Sequence, residues 1–280
     1  FYKLKRYKGT VKFLSFREYT AYVRDTETNK IVEEAVVTAK DLDVAVVRAK
    51  EMAKEWEKKI ITRWSYSRLG TYESCPKKAY YRYIEQLPEK QHPAAKRGTR
   101  IHSLAEDYIK GKIEEMPREL KLFSEAFEKL REDWLAKKVF VEQDWAFDLK
   151  WSAAPWRGDI TWGRYKIDAF FKEGDYGKVI DFKTGKYWSN ETGYRDQCSL
   201  YACGVFSRFP DLQNVETELW YLDHQKISRH AFSKEEIQEV QNKFTSRAHT
   251  MTHDTEFIAT PSENSCRWCP FKQVCPDYER

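Results

Sequence analysis

Three strand-like stretches follow one another at residues 139–150, 164–172 and 177–183, the last two joined by Glu173-Gly174-Asp175-Tyr176-Gly177. A helix-like stretch at 193–208 separates them from strand patterns near 215–223 and 226–232, and another helix pattern covers 234–250. With a helix pattern at 118–138 just after Pro117, this order describes an α/β chain built on a mixed central sheet flanked by helices.

Upstream, residues 10–38 alternate and are rich in Val, Phe, Tyr and Thr, with the turn-like run Asp25 to Asn29 inside them, and read as a β-hairpin. Asp41 then caps a helix running to Lys59, with Val44, Val47, Met52 and Trp56 as its apolar side. Together these predict a ββα appendage over residues 1–62, ahead of a larger domain at 63–280. Residues 65–84 read as helical and aromatic, residues 86–98, with Pro88 and Pro93, as a flexible loop, and residues 99–110 as a helix ending at Gly111.

Hydrophobic residues at 41% and aromatics at 15% suffice for one large core plus an appendage in 280 residues. A net charge of +5 says little about nucleic acid, but residues 1–17 hold Lys3, Lys5, Arg6, Lys8, Lys12 and Arg17 without one acid. Such a patch can meet phosphates and release counterions, or simply be a solvated face. No apolar run approaches the ~20 residues that cross a bilayer, and the start is not leader-like, so a cytoplasmic protein without a membrane partner is expected.

The most informative stretch is Lys178-Val-Ile-Asp181-Phe-Lys183-Thr-Gly-Lys186. Side chains alternate along a strand, so Asp181 and Lys183 share one face while Ile180 and Phe182 point into the core. A carboxylate that holds a divalent cation, beside a lysine that orients water or stabilises charge on a phosphate, suits phosphodiester cleavage. A hard cation wants a second carboxylate. Asp168, flanked by Ile167 and Ala169 on the preceding strand, is placed by a short hairpin opposite Asp181. A surface ion pair on an edge strand is the plain alternative. Glu142, at the start of the first core strand, is a weaker candidate for another carboxylate.

Asp168 with Asp181-Phe182-Lys183 resembles the core of the PD-(D/E)xK nuclease superfamily, with its restriction-endonuclease-like sheet. Gly98-Thr-Arg-Ile-His102 resembles the G-x-x-x-H helix, and Gln197-Cys-Ser-Leu-Tyr201 the Q-x-x-x-Y helix, of RecB-like nucleases. The resemblance covers residues 65–280 with its motifs in family order. It implies His102, Asp168, Asp181 and the Phe182 carbonyl as ligands of Mg²⁺ or Mn²⁺, and Asp168, Asp181 and Lys183 as the catalytic set. Glu106, one turn after His102, is a supporting group or a helix-surface acid. Gln197 and Tyr201 line the DNA path or buttress the site, unless Tyr201 is simply core.

Six cysteines are unevenly placed, and a disulfide framework is not suggested. Cys266, Cys269 and Cys275 crowd together, leaving a vacancy that Cys75 can fill, while Cys198 and Cys203 fit ordinary packing. Four cysteines hold zinc or an iron–sulfur cluster, and ligand identity does not choose between them. One cysteine before the core and three after it resembles the cluster-bearing RecB-like nucleases of the AddB-like and CRISPR-associated kinds. The implied group is a structural [4Fe–4S] cluster joining the C-terminus to the first helix of the core, with structural Zn²⁺ as the alternative.

The resemblance implies a metal-dependent DNA exonuclease acting on single-stranded ends or flaps, in recombination, repair, phage DNA metabolism or CRISPR adaptation, in a bacterial or phage-infected cell. No G-x-x-x-x-G-K-[ST] loop is present, so unwinding would fall to a helicase or recombination partner. The alternatives are a non-catalytic iron–sulfur DNA-binding or scaffold subunit, and a structure-selective endonuclease.

Overall fold

In the computed structural model, the alternating run at the N-terminus folds as three strands rather than two. They are β1 (Tyr7–Ser15), β2 (Glu18–Asp25) and β3 (Ile31–Thr38), an antiparallel meander in that order. β1 ends at Ser15 and β2 begins at Glu18, and the sequence between them carries no Gly, Pro, Asn or Asp, so alternation reads straight through it. The appendage is thus βββα, not ββα. Helix α1 (Leu42–Glu57) buries Ala45, Ala49, Met52 and Ala53, while the expected core residues Val44 and Val47 are about half exposed (48% and 55%). Small alanines let the helix sit close on the strands, and Ala49, Met52 and Ala53 pack with Ala21, Val23 and Ile60. The structure describes residues 7–15, 18–25, 30–39, 42–57, 59–90, 92–185, 187 and 191–278. Lys3, Lys5, Arg6 and Arg17 of the basic run, Thr26 to Asn29 of the turn, the Asp41 cap and Lys186 lie outside the described residues, as do the side chains of Lys8 and Trp56.

Two compact units form: Phe1–Trp64 with Gly70–Leu87 and His249–Arg280, and Ser65–Leu69 with Pro88–Ala248. The helical run 65–84 divides into α2 (Tyr66–Ser74) and α3 (Pro76–Tyr83). Proline disfavours helix in the residue before it, so Cys75 is extended and stands as the N-cap of α3. Within the first unit, the segment after His253 is fastened to these helices by aromatic contacts of Phe257 with Tyr72 and Tyr80, and of Phe271 with Tyr81. Tyr72 Oη donates to Asp254 Oδ2 at 2.8 Å.

In the second unit, α4 (Pro93–Ile109) begins earlier than the sequence suggests. Pro93 acts as a helix-opening residue rather than a loop marker, and His92 caps it by accepting the Ala94 N–H. A 3-10 turn (Arg118–Phe123) leads into α5 (Ser124–Leu135). The strands are β4 (Val139–Phe147), β5 (Ala153–Ala154), β6 (Gly163–Glu173) and β7 (Tyr176–Lys183), then α6 (Glu191–Arg208), β8 (Asn214–Tyr221), β9 (Lys226–Ser233) and α7 (Ile237–His253). A short α8 (Glu263–Arg267) follows in the first unit. The sheet order is β5-β4-β6-β7-β8-β9, with β7 and β8 parallel and the other neighbours antiparallel. Helix α6 is the crossover that a parallel pair requires. The chain therefore has a mixed α/β fold with a central mixed sheet flanked by helices.

One sheet face carries Val139, Val141, Ala169, Ile180, Phe182 and Trp220 into a core with α4, the 3-10 turn and α5. Alternation turns Asp181 and Lys183 to the other face, toward α6. That helix lies close because position 204 is glycine: a Cβ there would collide with the Tyr165 ring.

Candidate active site

Asp168 and Asp181 are 7% exposed, and burying charge is costly without partners, so their surroundings are informative. Asp168 Oδ1 lies 2.9 Å from His102 Nδ1, and its Oδ2 accepts the Phe182 N–H at 2.6 Å. The β6–β7 ladder stops at Ala169–Ile180, one pair short of Asp168 and Asp181. A carboxylate thus takes over a backbone donor where the strands part. Gly98, one turn before His102, supports this placement: a Cβ there would press to 3.2 Å on Thr184, next to Lys183.

On the α6 side a closed ring of contacts forms. Lys183 Nζ donates to Gln197 Oε1 (2.9 Å), Gln197 Nε2 to Tyr201 Oη (2.8 Å), and Tyr201 Oη to Asp181 Oδ1 (2.6 Å). Lys183 Nζ returns to Asp181 Oδ2 at 2.7 Å. That last approach is an ion pair, so each Asp181 oxygen is met by a side chain of the ring. Gln197 and Tyr201 sit four residues apart, one turn of α6, which is why both reach the β7 end.

The residue that sequence reasoning underweighted is Glu142. Its φ is +51°, a left-handed conformation rare for a non-glycine residue and rarer inside a strand. The Val141–Ala169 and Gln143–Ile167 pairs put Glu142 opposite Asp168, and the ladder skips that position. His102, Glu142 and Asp168 bring one ligand atom each within 4.8 Å of one another. The only available sequence signal was register: an acid facing an acid across two strands, an arrangement that repels unless a cation lies between.

The electrostatics agree. Burial pushes the Glu142 carboxyl up to about 7, with the Asp168 charge adding to it. Burial also raises Asp168, and Asp181 adds to that, against the opposing hydrogen bond from His102. Burial lowers His102, but the Asp168 hydrogen bond and the charges of Asp168, Asp181 and Glu142 prevail and push it up to about 9. Burial likewise opposes the Lys183 ammonium, and Asp181 overcomes it, holding the lysine above its usual range. Too many negative groups share too little solvent, the condition a bound cation relieves. Glu106 stands apart from the ring, paired with Lys110 at 2.7 Å.

Cys75, Cys266, Cys269 and Cys275 line one open pocket of about 380 Å³ in the first unit, with Lys77, Lys78 and Lys272. Among the described residues, no three of these sulfurs lie within 4.8 Å of one another. The four thiols share a pocket but are not drawn together as ligands of one ion. Cys198 and Cys203 are buried in α6. No described helix is long and apolar enough to cross a membrane.

No curated protein matches the chain. A solved structure described as "Crystal structure of SSO0001" is 14% identical, over 84% of this chain and 98% of its own, with a TM-score of 0.43. The model of the PD-(D/E)XK nuclease superfamily matches residues 63–158 and 164–276. That span takes in His102, Glu142, Asp168, Asp181, Lys183, Gln197 and Tyr201, and it shows that the chain belongs to the PD-(D/E)XK nuclease superfamily, whose members are metal-dependent nucleases.

Proposed function

We propose that this chain is a RecB-like, divalent-metal-dependent deoxyribonuclease that trims single-stranded DNA ends or flaps. The observation that carries the proposal is the convergence of His102, Glu142 and Asp168 beside the Asp181–Lys183 pair. Imidazole nitrogen with carboxylate oxygens suits Mg²⁺ or, better, Mn²⁺. The crowded carboxylates also fit a cation there. The proposed ligands are His102, Asp168, Asp181 and the Phe182 carbonyl, with Glu142 added. When bound, the ion supplies an activated water and offsets charge on the scissile phosphate.

The side chains around it have separate tasks. Phe182 N–H fixes the Asp168 carboxylate, and Tyr201 fixes that of Asp181. Gln197 holds Lys183 so that a positive charge waits where phosphate charge develops. Gln197 and Tyr201 are therefore assigned to support rather than to the DNA path, and Glu106 to the rim.

The same reading assigns Cys75, Cys266, Cys269 and Cys275 to a structural [4Fe–4S] cluster. Their shared pocket supports it. The pocket lysines suit an anionic cluster. Protein purified without air should be coloured and absorb in the visible. A colourless protein with stoichiometric zinc refutes the cluster and leaves the nuclease reading standing.

The nuclease reading is tested with the full chain, Mg²⁺ or Mn²⁺, and labelled single-stranded DNA. Linear strands should shorten from an end while circles survive. Inactivity in both metals with a loaded cluster would favour a non-catalytic DNA-binding or scaffold subunit. Cut circles would make it an endonuclease.

A further inference from the structure

β6 carries more than Asp168. Tyr165 packs against α6 at Gly204, so its neighbours Arg164 and Lys166 turn to the opposite face. Both cations address one ring: Trp156 has the Arg164 guanidinium carbon 4.9 Å and Lys166 Nζ 5.7 Å from its centroid. The loop bearing Trp156 is pinned by Thr161 Oγ1 donating to Pro155 O at 2.7 Å and by Trp162 N–H donating to Phe147 O at 3.0 Å. Lys166 stands across the β4–β6 ladder from Asp144, two residues along β4 from Glu142, so the stack borders the carboxylate group. Lys166 pairs with Asp144 at 2.8 Å, but with side chains 66% and 45% exposed that pair is easily exchanged.

We propose that Trp156, Arg164 and Lys166 form a step that seats one nucleotide of a single DNA strand beside the scissile phosphate, the base stacked on Trp156 and its phosphate held by the two cations. The strand's identity rests on the nuclease reading above. An indole face with adjacent cations is the combination that takes an unpaired base and its phosphate. A duplex would present phosphates but no free base face.

The test is binding of labelled oligo-dT, and of a matching strand with abasic sites, by fluorescence anisotropy in EDTA, where no cleavage occurs. Trp156→Ala should weaken oligo-dT binding about tenfold and abasic binding far less, and Trp156→Phe should restore most of the loss. Lys166→Gln should weaken both and reduce the slope of log Kd against log salt by about 0.7. With Mn²⁺ present, the Trp156→Ala loss should fall on KM more than on kcat. Oligo-dT binding by Trp156→Ala within about twofold of wild type would overturn the proposal, and so would equal losses on both strands, the mark of a purely structural role. If wild type shows the stacking effect yet never cleaves, the step stands and the nuclease reading falls. If it cleaves without that effect, the reverse holds.

Discussion

Around Asp181 and Lys183 the polypeptide has already closed a ring of contacts between 2.6 and 2.9 Å, whereas the four cysteines border a pocket without converging. The first place is organised before any ligand arrives: neighbouring backbone and α6 side chains dictate where each carboxylate points. The second has its thiols on separate segments: Cys75 at the N-cap of α3, Cys266 in α8, and Cys269 and Cys275 after it. One region is built for chemistry at a fixed point. The other is the site of the proposed closure by a bound group.

Four measurements would break or sharpen that contrast. The largest effect is expected from Asp168→Asn, which keeps the shape but removes the charge that His102, Phe182 and the proposed cation all address. Cleavage in Mn²⁺ should fall by about 10³-fold or more with little change in Tm, and comparable activity would remove Asp168 from the site. Cys75→Ser should act the other way, lowering Tm by about 10 °C and erasing visible absorbance. A variant with wild-type Tm would mean that the pocket closes nothing. Tyr201→Phe deletes the hydroxyl that joins Gln197 to Asp181, and kcat should drop about tenfold while strand binding persists. A drop confined to KM would return Tyr201 to the DNA path.

The smallest effect is in pH. Glu142 is raised from 4.5 to about 7 and His102 from 6.5 to about 9. A raised pKa in the folded state gives stability that is complete at low pH and lost as pH rises through it. The metal-free protein should therefore lose roughly 1–2 kcal/mol between pH 5 and pH 9, after allowing for solvent screening at these part-exposed groups. Saturating Mn²⁺ should flatten the profile. A metal-free stability that rises across this window would contradict the crowding of carboxylates.

What the sequence made legible follows from where periodicity carries information. Asp181 and Lys183 lie on the face opposite Ile180 and Phe182 because the period of a strand is fixed, and the helix after β7 follows from the same regularity. Glu142 was underweighted because alternation assumes ordinary backbone angles, and a φ of +51° breaks that assumption without changing a letter of the sequence. The third N-terminal strand was missed for the converse reason: none of the residues that mark turns lies between Ser15, where β1 ends, and Glu18, where β2 begins. Pro93 was ambiguous in principle, since proline opens helices as readily as it ends them. His102, Gln197 and Tyr201 became visible only through family motifs, because nothing local distinguishes a helical histidine or tyrosine facing a site from one facing a core.

The left-handed Glu142 also bears on how such a protein can be improved. A non-glycine residue held there costs of order 1 kcal/mol or more, so Glu142→Gly is one of the few substitutions in this sheet that would be rewarded by a screen for heat resistance. That screen would select away a carboxylate at the centre of the candidate site. Breeding for robustness and breeding for turnover thus pull in opposite directions at this one position, and a thermostable descendant should be checked there first.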